Sequence, residues 1–292
     1  MLSIWLRAIR IRFLLASVVA VSGGLTVSWW KFQQFDLFYA LLTYAGVVCL
    51  HASVDLLNDY WDYKRGIDKL TKRTPFSGGT GVLPENLLKP SSVYAAGIIF
   101  LSIGTSIGIY FVFVRGVTIA VILAFAVLAI YFYSTSIVNV GLGELFVATK
   151  GTLIVLGAFF VQAAQIIPEP LYAGIIIGLL SASVLFVNSF PDHDADKSKG
   201  RKTLVIILGI KKASKFFMFF PSIVYTLIIV GIALNMIPIY SLICFLTIPL
   251  AIRVGRILKK DHDDIHALIP AMSSTVTSSR LTGVLLILSF LI

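Results

Sequence analysis

Two stretches of the sequence combine a long apolar run with a group of acids at its end. The first reads LFYALLTYAGVVCLHASVDLLNDYWD over residues 37–62, and the second reads LYAGIIIGLLSASVLFVNSFPDHDAD over residues 171–196. Each apolar run has about the 20 residues that an α-helix needs to cross a bilayer. Carboxylates at the end of a membrane segment are costly to bury, so they indicate a functional site. The same two stretches therefore predict both the fold and the candidate site.

The rest of the chain is also apolar. Of its 292 residues, 58% are hydrophobic and 13% are charged, whereas about a quarter are charged in an average soluble protein. Very short connections between apolar runs favour antiparallel neighbours. We predict a single all-α domain over residues 1–292, composed of two related halves near 1–140 and 141–292. Its architecture is an integral membrane bundle of nine transmembrane helices around a central cavity with a cytoplasmic cap. The predicted spans are 13–30, 36–57, 93–114, 117–135, 145–166, 171–190, 216–235, 238–254 and 279–292.

The net charge of +10 follows from where the basic residues lie. If nine helices alternate in direction, 20 of the 24 Lys and Arg residues fall on one side of the membrane, in the segments Arg7 to Arg12, Lys64 to Lys89, Lys197 to Lys215 and Arg253 to Lys260. Basic loops favour the cytoplasmic side. We therefore predict that the N-terminus and the acid-bearing loops are cytoplasmic. Membrane lipids, and not nucleic acid, are the expected partners of this charge.

Both acid clusters follow the same plan. In the first cluster Asn58 and Asp62 are four residues apart, which places them on one face of a helix. In the second cluster Asp192 and Asp196 have the same spacing, and Asp194 between them points away. Carboxylate and amide oxygens are ligands for hard divalent cations such as Mg²⁺. The predicted metal ligands are Asn58, Asp62, Asp68, Asp192 and Asp196.

Basic residues follow each acid cluster. Cationic side chains there suit the phosphate oxygens of a diphosphate whose other oxygens contact the metal. The glycine-rich segment 72–81 is predicted to form a lid over the site. Lys150 has two interpretations, because a lysine near a helix end can also extend to the membrane interface. The predicted diphosphate contacts are Arg65, Lys69, Arg73, Lys150 and Arg201.

Three further groups have more than one interpretation. Tyr131 and Tyr133, at the cytoplasmic end of the fourth span, either stabilise a cation at a reacting carbon or belong to an interfacial aromatic belt. His51 shares a helix face with Asn58, as a structural histidine or as a catalytic base. The segment 261–266, which reads DHDDIH, either binds a metal or is a solvated loop.

The two acid motifs resemble those of the UbiA superfamily of intramembrane prenyltransferases. That family has the pattern NDxxDxxxD after its second helix and DxxxD after its sixth. Here the motifs read NDYWD over residues 58–62 and DHDAD over residues 192–196. The family's last aspartate falls on Gly66, and Asp68 follows two residues later, as in the branch that prenylates 1,4-dihydroxy-2-naphthoate in menaquinone synthesis. The turn 141–144 is also similar to that branch, and the resemblance covers essentially the whole chain.

The resemblance implies a magnesium-dependent enzyme. Members of the family transfer a polyprenyl group from its diphosphate to an aromatic or lipid acceptor, and the acceptor implied here is a dihydroxynaphthoate. Two Mg²⁺ ions would neutralise the charge that develops on the leaving diphosphate. The catalytic residues implied are Asp62, Asp68, Asp192, Asp196 and Tyr133.

Two alternatives stay open at the level of sequence. One is an archaeal-type ether-lipid prenyltransferase, whose acceptor is a prenylated glycerol phosphate. The other is a secondary transporter, because transporters also combine internal repeats with acids in membrane helices. The acids favour the enzyme, since they lie at the cytoplasmic ends of helices and a basic segment follows each set.

Overall fold

The computed structural model of the chain describes residues 1–68, 70–133 and 139–292. Within those residues all regular structure is helical, which confirms the predicted fold class. A 3₁₀ helix (Ile239–Thr247) leads into the twelfth α-helix. The α-helices are α1 (Leu2–Ala8), α2 (Ile11–Phe32), α3 (Leu37–Arg65), α4 (Pro90–Arg115), α5 (Val117–Tyr133), α6 (Gly143–Ala163), α7 (Pro168–Asn188), α8 (His193–Ser198), α9 (Leu204–Leu208), α10 (Ile210–Phe216), α11 (Phe219–Ala233), α12 (Ile248–Asp261) and α13 (Ile265–Ser289).

Eight helical segments in this part of the chain are long and apolar enough to cross a membrane. A further apolar helix, Val117–Phe132, is shorter. The chain is thus an all-helical membrane protein, while the count of nine spans, the cytoplasmic cap and the two related halves stay predictions. The eight segments are Ile11–Phe32, Leu37–Arg65, Pro90–Arg115, Gly143–Ala163, Pro168–Asn188, Ile210–Ala233, Ile239–Asp261 and Ile265–Ser289.

The last helix differs from its predicted span. The sequence predicts 279–292, whereas α13 already begins at Ile265. Serines and threonines between residues 273 and 282 make this segment polar by composition. Their hydroxyls can be satisfied within the helix, as Thr275 Oγ1 shows by donating to the carbonyl oxygen of Ala271 at 2.8 Å. A hydroxyl group that donates to a carbonyl oxygen of its own helix does not need a water molecule as its partner. The helix can therefore begin well before the apolar residues that hydropathy identifies.

Two helix ends position the acids. α3 continues beyond its predicted apolar run to Arg65, where Gly66 ends it with a φ of 70°, a left-handed conformation that favours glycine. α7 ends at Asn188, and Pro191 follows it. Proline lacks the backbone N–H that a continuing helix needs. The second acid cluster therefore begins at a break between α7 and α8, with Asp192, and continues into α8, which contains Asp196.

Glycines set the distance between three core helices. A Cβ atom on Gly24 of α2 would lie 2.7 Å from the Cβ of Ala158 and 2.7 Å from the backbone nitrogen of Phe159, both in α6. A Cβ atom on Gly151 of α6 would lie 2.8 Å from the Cα of Gly178 in α7. Small residues let membrane helices pack backbone to backbone, where lipid supplies no hydrophobic driving force between helices. α2, α6 and α7 therefore form a closely packed frame beside the acids.

The substitution Gly24→Ala should lower the stability of the protein. Alanine raises helix propensity by about 1 kcal/mol relative to glycine, but overpacking against an immobile backbone costs about 1–3 kcal/mol, so the steric effect should dominate. The matched control is Gly157→Ala in α6, whose added Cβ would lie 3.7 Å from its nearest neighbour. Thermal unfolding in detergent should show a lower midpoint for Gly24→Ala only. Equal midpoints for the two variants would contradict this account of the packing.

Candidate active site

Residues of both acid clusters line a single cavity of about 280 Å³, whereas the predicted ligand Asp68 is not among its lining residues. Asn58 and Asp62 reach it from α3. Asp192 and Asp196 reach it from the break after α7 and from α8. Clusters that are separated by about 130 residues in sequence are therefore brought together, as a shared ligand requires.

Arg201 joins the two clusters. Its guanidinium group donates to the carboxylate of Asp62 and, at 3.2 Å, to Oδ1 of Asp196. Asp62 also accepts a hydrogen bond from Nδ2 of Asn58 at 3.0 Å. Both carboxylates are nearly inaccessible, with 5% and 4% of their residue surface exposed. A buried carboxylate needs a partner of opposite charge, and here one arginine serves both motifs.

The glycine-rich segment 72–81 lies over the acids. The backbone N–H of Gly78 donates to Oδ2 of Asp192 at 3.2 Å. Gly78 and Gly79 have φ values of 82° and 73°, which disfavour any residue with a side chain. A Cβ atom on Gly79 would also lie 2.8 Å from Oδ1 of Asp68. The segment thus donates a hydrogen bond to Asp192 of the second cluster, and a side chain at Gly79 would collide with Asp68 of the first.

A network of charges holds the outer end of this segment. Arg7 donates to the carboxylate of Glu85 at 2.8 and 2.9 Å and to the carbonyl oxygen of Thr80 at 2.7 Å. Arg73 also pairs with Glu85. Hydrogen bonds from Arg7 and Arg73 lower the pKa of Glu85 to about 2. Thr80 in turn donates its hydroxyl to the buried Asp59, so the segment is attached to α1 and to α3.

Three buried oxygens at the acids accept no hydrogen bond within the described residues: Oδ2 of Asp68, Oδ1 of Asn188 and Oδ1 of Asp192. Burial raises the pKa of Asp68 to about 8, and the charges of neighbouring carboxylates add to this shift. Burial likewise raises the pKa of Asp192 to about 7, with a further contribution from Asp196. Unpaired buried acceptors are unfavourable. A bound cation would satisfy these oxygens and favour their ionised form.

The donor set fits a divalent metal that binds together with a phosphate ligand. In the part of the chain that the structure describes, no three acidic or histidine side chains already converge as metal ligands. Asp62 and Asp196 instead share Arg201. Oxygens of Asp68 and Asp192 are available at once, whereas those of Asp62 and Asp196 become available when Arg201 turns to phosphate oxygens. Phosphate and metal would therefore support each other's binding.

Of the other predicted phosphate contacts, some line the cavity and others do not. Lys150 lines the cavity. Arg65 and Arg73 are not among its lining residues. Lys69 and the side chain of Tyr133 lie outside the described residues. The roles of all these residues stay predictions.

The structure also shows where Asp194, Tyr131 and the segment 261–266 lie relative to the cavity. The side chain of Asp194 is 97% exposed, so it points away from the cavity. Tyr131 is exposed and does not line the cavity, which agrees better with an interfacial position. None of residues 261–266 lines the cavity, and His262 approaches Asp263 at 3.5 Å.

Sequence reasoning assigned no site role to several charged residues that line the cavity, among them Arg10 and Glu144. Arg10 forms an ion pair with Asp59 at 2.8 Å, yet the sequence counts it only among the topological charges. Glu144, at the start of α6, is 6% exposed. The sequence does contain an indication of this role, because an acid beside a membrane span is costly to bury and so indicates a functional site. From the sequence, Glu144 is considered only as part of the turn 141–144.

A second cavity of about 140 Å³ adjoins the first and has almost entirely apolar walls. Helices α3, α4, α5 and α6 supply most of its lining, including Gly104, Phe111 and Leu123. Ser17, His51 and other residues line both cavities. A polar chamber therefore continues into an apolar one, which suits a ligand with a charged head and a hydrocarbon tail.

These features define an all-helical membrane protein with a paired-acid site for a charged, lipid-like ligand. The profile of the UbiA prenyltransferase family matches residues 13–275. The chain belongs to the UbiA prenyltransferase family, so the resemblance of its motifs is confirmed and the protein is a prenyltransferase. This assignment removes the transporter alternative.

Individual relatives are similar along most of the chain. The 1,4-dihydroxy-2-naphthoate octaprenyltransferase of Escherichia coli (strain K12) is 28% identical over 97% of this chain and 94% of its own length. The apo structure of a UbiA homologue from Aeropyrum pernix K1 has a TM-score of 0.73 at 18% identity, covering 95% of this chain and 98% of that one. A UbiA homologue from Archaeoglobus fulgidus bound to DMAPP and Mg²⁺ has a TM-score of 0.66 at 16% identity, covering 97% and 98%. The two structures support the fold.

The substitution Asp192→Asn should lower kcat/KM by on the order of 10²-fold, because it removes a negative charge from the centre of the site. The matched control is Asp194→Asn, two residues away on the exposed side. Prenyl transfer by the purified proteins should be unchanged in the control, with both variants retaining the unfolding midpoint of the natural protein. Equal rates for the two variants would place the site elsewhere.

Proposed function

We propose that the protein transfers a polyprenyl group from an isoprenoid diphosphate to an aromatic acceptor, a dihydroxynaphthoate, during synthesis of a quinone precursor. The observation that carries this proposal is the meeting of both acid clusters at Arg201 in a polar chamber that continues into an apolar one. The name of the Escherichia coli relative supports this choice of acceptor. The Archaeoglobus fulgidus structure supports a prenyl diphosphate and Mg²⁺ as ligands.

The acids would hold the metal, and the basic residues would hold the diphosphate. Two Mg²⁺ ions, when bound, would neutralise charge on the leaving diphosphate. Arg201 exchanges its two carboxylates for phosphate oxygens, which a planar guanidinium can bind with two parallel hydrogen bonds. The metal ligands are Asn58, Asp62, Asp68, Asp192 and Asp196.

The reaction breaks the bond between the first prenyl carbon and the diphosphate oxygen, and the electron pair leaves with the diphosphate. An acceptor ring carbon then forms the new carbon–carbon bond and gives up the group that it carried, a proton or the carboxylate as CO₂, which restores the aromatic ring. Water would compete for the allylic cation, so the reaction needs a closed site. Segment 72–81, attached to Asp192 through Gly78, closes the polar end. The apolar cavity holds the first part of the hydrocarbon chain.

The acid-bearing ends of α3 and α7 face the cytoplasm together with the N-terminus. The basic segments around these ends support this orientation, because cytoplasmic loops carry an excess of Lys and Arg. Lys31 at the end of α2 and Glu169 at the start of α7 form an ion pair at 2.7 Å, on the side of the bundle opposite to the acids. The soluble diphosphate head then enters from the cytoplasm, and the isoprenoid product remains in the lipid.

Removal of divalent metal should abolish prenyl transfer. A diphosphate cannot approach this many carboxylates without cations between them, since like charges at close range repel strongly. Purified protein assayed in excess chelator should form no prenylated lipid, and added Mg²⁺ should restore turnover. Turnover at the full rate in excess chelator would overturn the metal assignment.

A comparison of acceptors tests the substrate. Labelled prenyl diphosphate is incubated with the protein and with 1,4-dihydroxy-2-naphthoate, 4-hydroxybenzoate or a prenylated glycerol phosphate, and the lipids are extracted. We expect labelled product with the naphthoate at a rate at least about tenfold above the others, because a difference of 1.4 kcal/mol in binding at the transition state suffices. Product from the glycerol phosphate alone would support the ether-lipid alternative.

A further inference from the structure

A second polar cluster lies deeper in the membrane than the acids that hold the metal. It consists of Ser17 in α2, His51 and Asp55 in α3, and Lys150 in α6, and all four side chains line the polar cavity. Nδ1 of His51 and Oγ of Ser17 are 2.7 Å apart, which is a hydrogen bond. Nε2 of His51 and Oδ2 of Asp55 are 3.8 Å apart, which is too long for one. None of these residues has a part in the proposed handling of the diphosphate.

The cluster lies at the junction between the two cavities. Asp55 precedes Asp62 by seven residues on the same helix face, which corresponds to about 10 Å along the helix axis. Ser17, His51 and Lys150 also line the apolar cavity. The first carbon of a bound prenyl diphosphate lies between its head at Asp62 and its tail in the apolar cavity. An acceptor that attacks this carbon must therefore lie near the junction.

The charged groups of the cluster are poorly paired. Oδ2 of Asp55 is buried and accepts no hydrogen bond from any described residue. Within the described part of the chain, no carboxylate forms an ion pair with Lys150, although Asp55 acts on it electrostatically. Arg10 is the other cation whose charge acts on Asp55 and His51, and it is committed to Asp59. Charges inside a membrane are expensive and are kept where a ligand needs them.

We propose that Lys150, Asp55 and His51 form the acceptor subsite and select a hydroxylated aromatic carboxylate. The ammonium group of Lys150 pairs with the acceptor's carboxylate. The oxygen of Asp55 and the ring of His51 bind the acceptor's hydroxyl group. The proposal rests on the proposed function, and it assigns Lys150 to the acceptor in place of the diphosphate contact that the sequence predicts.

The position of the ring follows from these contacts. With its charged groups held at the junction, the aromatic ring lies between the cluster and the diphosphate, beside the first prenyl carbon. The roughly 10 Å between Asp55 and Asp62 along α3 leaves room for one ring system. A neutral acceptor would leave Lys150 without a counter-ion, which disfavours its binding.

The test is Lys150→Met, with Lys150→Arg to retain the charge and Lys212→Met, on the exposed surface of α10, as a matched control. Steady-state kinetics are measured separately for the prenyl diphosphate and for the dihydroxynaphthoate. We expect Lys150→Met to raise KM for the acceptor by on the order of 10-fold or more, because it removes a charge-assisted contact. KM for the prenyl diphosphate should stay within about twofold, and Lys150→Arg should recover much of the acceptor affinity.

An acceptor without its carboxylate, 1,4-dihydroxynaphthalene, makes the test specific. The natural protein should lose at least about tenfold in kcat/KM on this change of acceptor, whereas Lys150→Met should lose little, because the partner of the carboxylate is already gone. Equilibrium binding of dihydroxynaphthoate, measured without prenyl diphosphate, should weaken in parallel. If Lys150→Met does not fold, the same acceptor pair applied to Lys150→Arg and to Asp55→Asn decides the question.

The outcomes separate the inference from the proposed function. If Lys150→Met raises KM for the prenyl diphosphate and leaves that for the acceptor unchanged, Lys150 is a diphosphate contact and the inference is wrong. Equal losses for both acceptors in every variant would also overturn it. If the natural protein uses neither naphthalene acceptor but prenylates another molecule, the proposed function itself is wrong.

Discussion

The contact of Arg201 with Asp62 and Asp196 is the interaction on which the site depends. Carboxylates at the ends of membrane helices have little water around them and need a counter-charge. Arg201 supplies it to one acid from each motif. Without this shared partner, mutual repulsion would drive the ends of α3 and α8 apart. The polar chamber is therefore held together by the same group that is proposed to bind the diphosphate.

This double use of Arg201 explains why metal and diphosphate should bind as a unit. A cation that enters alone competes with a guanidinium already in place, and a diphosphate that enters alone meets uncompensated carboxylates. If both enter together, Arg201 would bind phosphate and the carboxylates would bind the metal, so every charge would keep a partner. A lysine would serve less well, because its ammonium group is a point charge without the fork that spans two oxygens.

Particular residues show how far the sequence predicts the fold and the site. The spacing of Asn58 and Asp62 on one helix face is a local property, and the structure agrees with it. The start of α13 was missed, because its hydroxyl groups are satisfied by the helix's own carbonyls and hydropathy does not register this. The approach of Gly24 to α6 depends on contacts between distant segments. A pattern along one helix carries no such information.

The same limit applies to the deep cluster. His51 and Asp55 are four residues apart on one face of α3, and the sequence shows this spacing. Lys150 belongs to α6, and only the folded structure shows that it lines the same cavity. Interpreted from sequence, Lys150 is either a further cation for a diphosphate or a lysine that extends to the membrane interface.

The two cavities impose an order on the ligands. Arg201 and the acids supply charged groups at one end, and apolar walls line the other end. A prenyl diphosphate bound as proposed would have one orientation that meets both demands, and its reactive carbon would lie at the junction. An acceptor with its own charge can be held there only by polar groups at that depth. Buried polar groups are unfavourable wherever they lack a partner. The wall of a tunnel for hydrocarbon would therefore have no polar groups, so their presence at the junction favours an acceptor site.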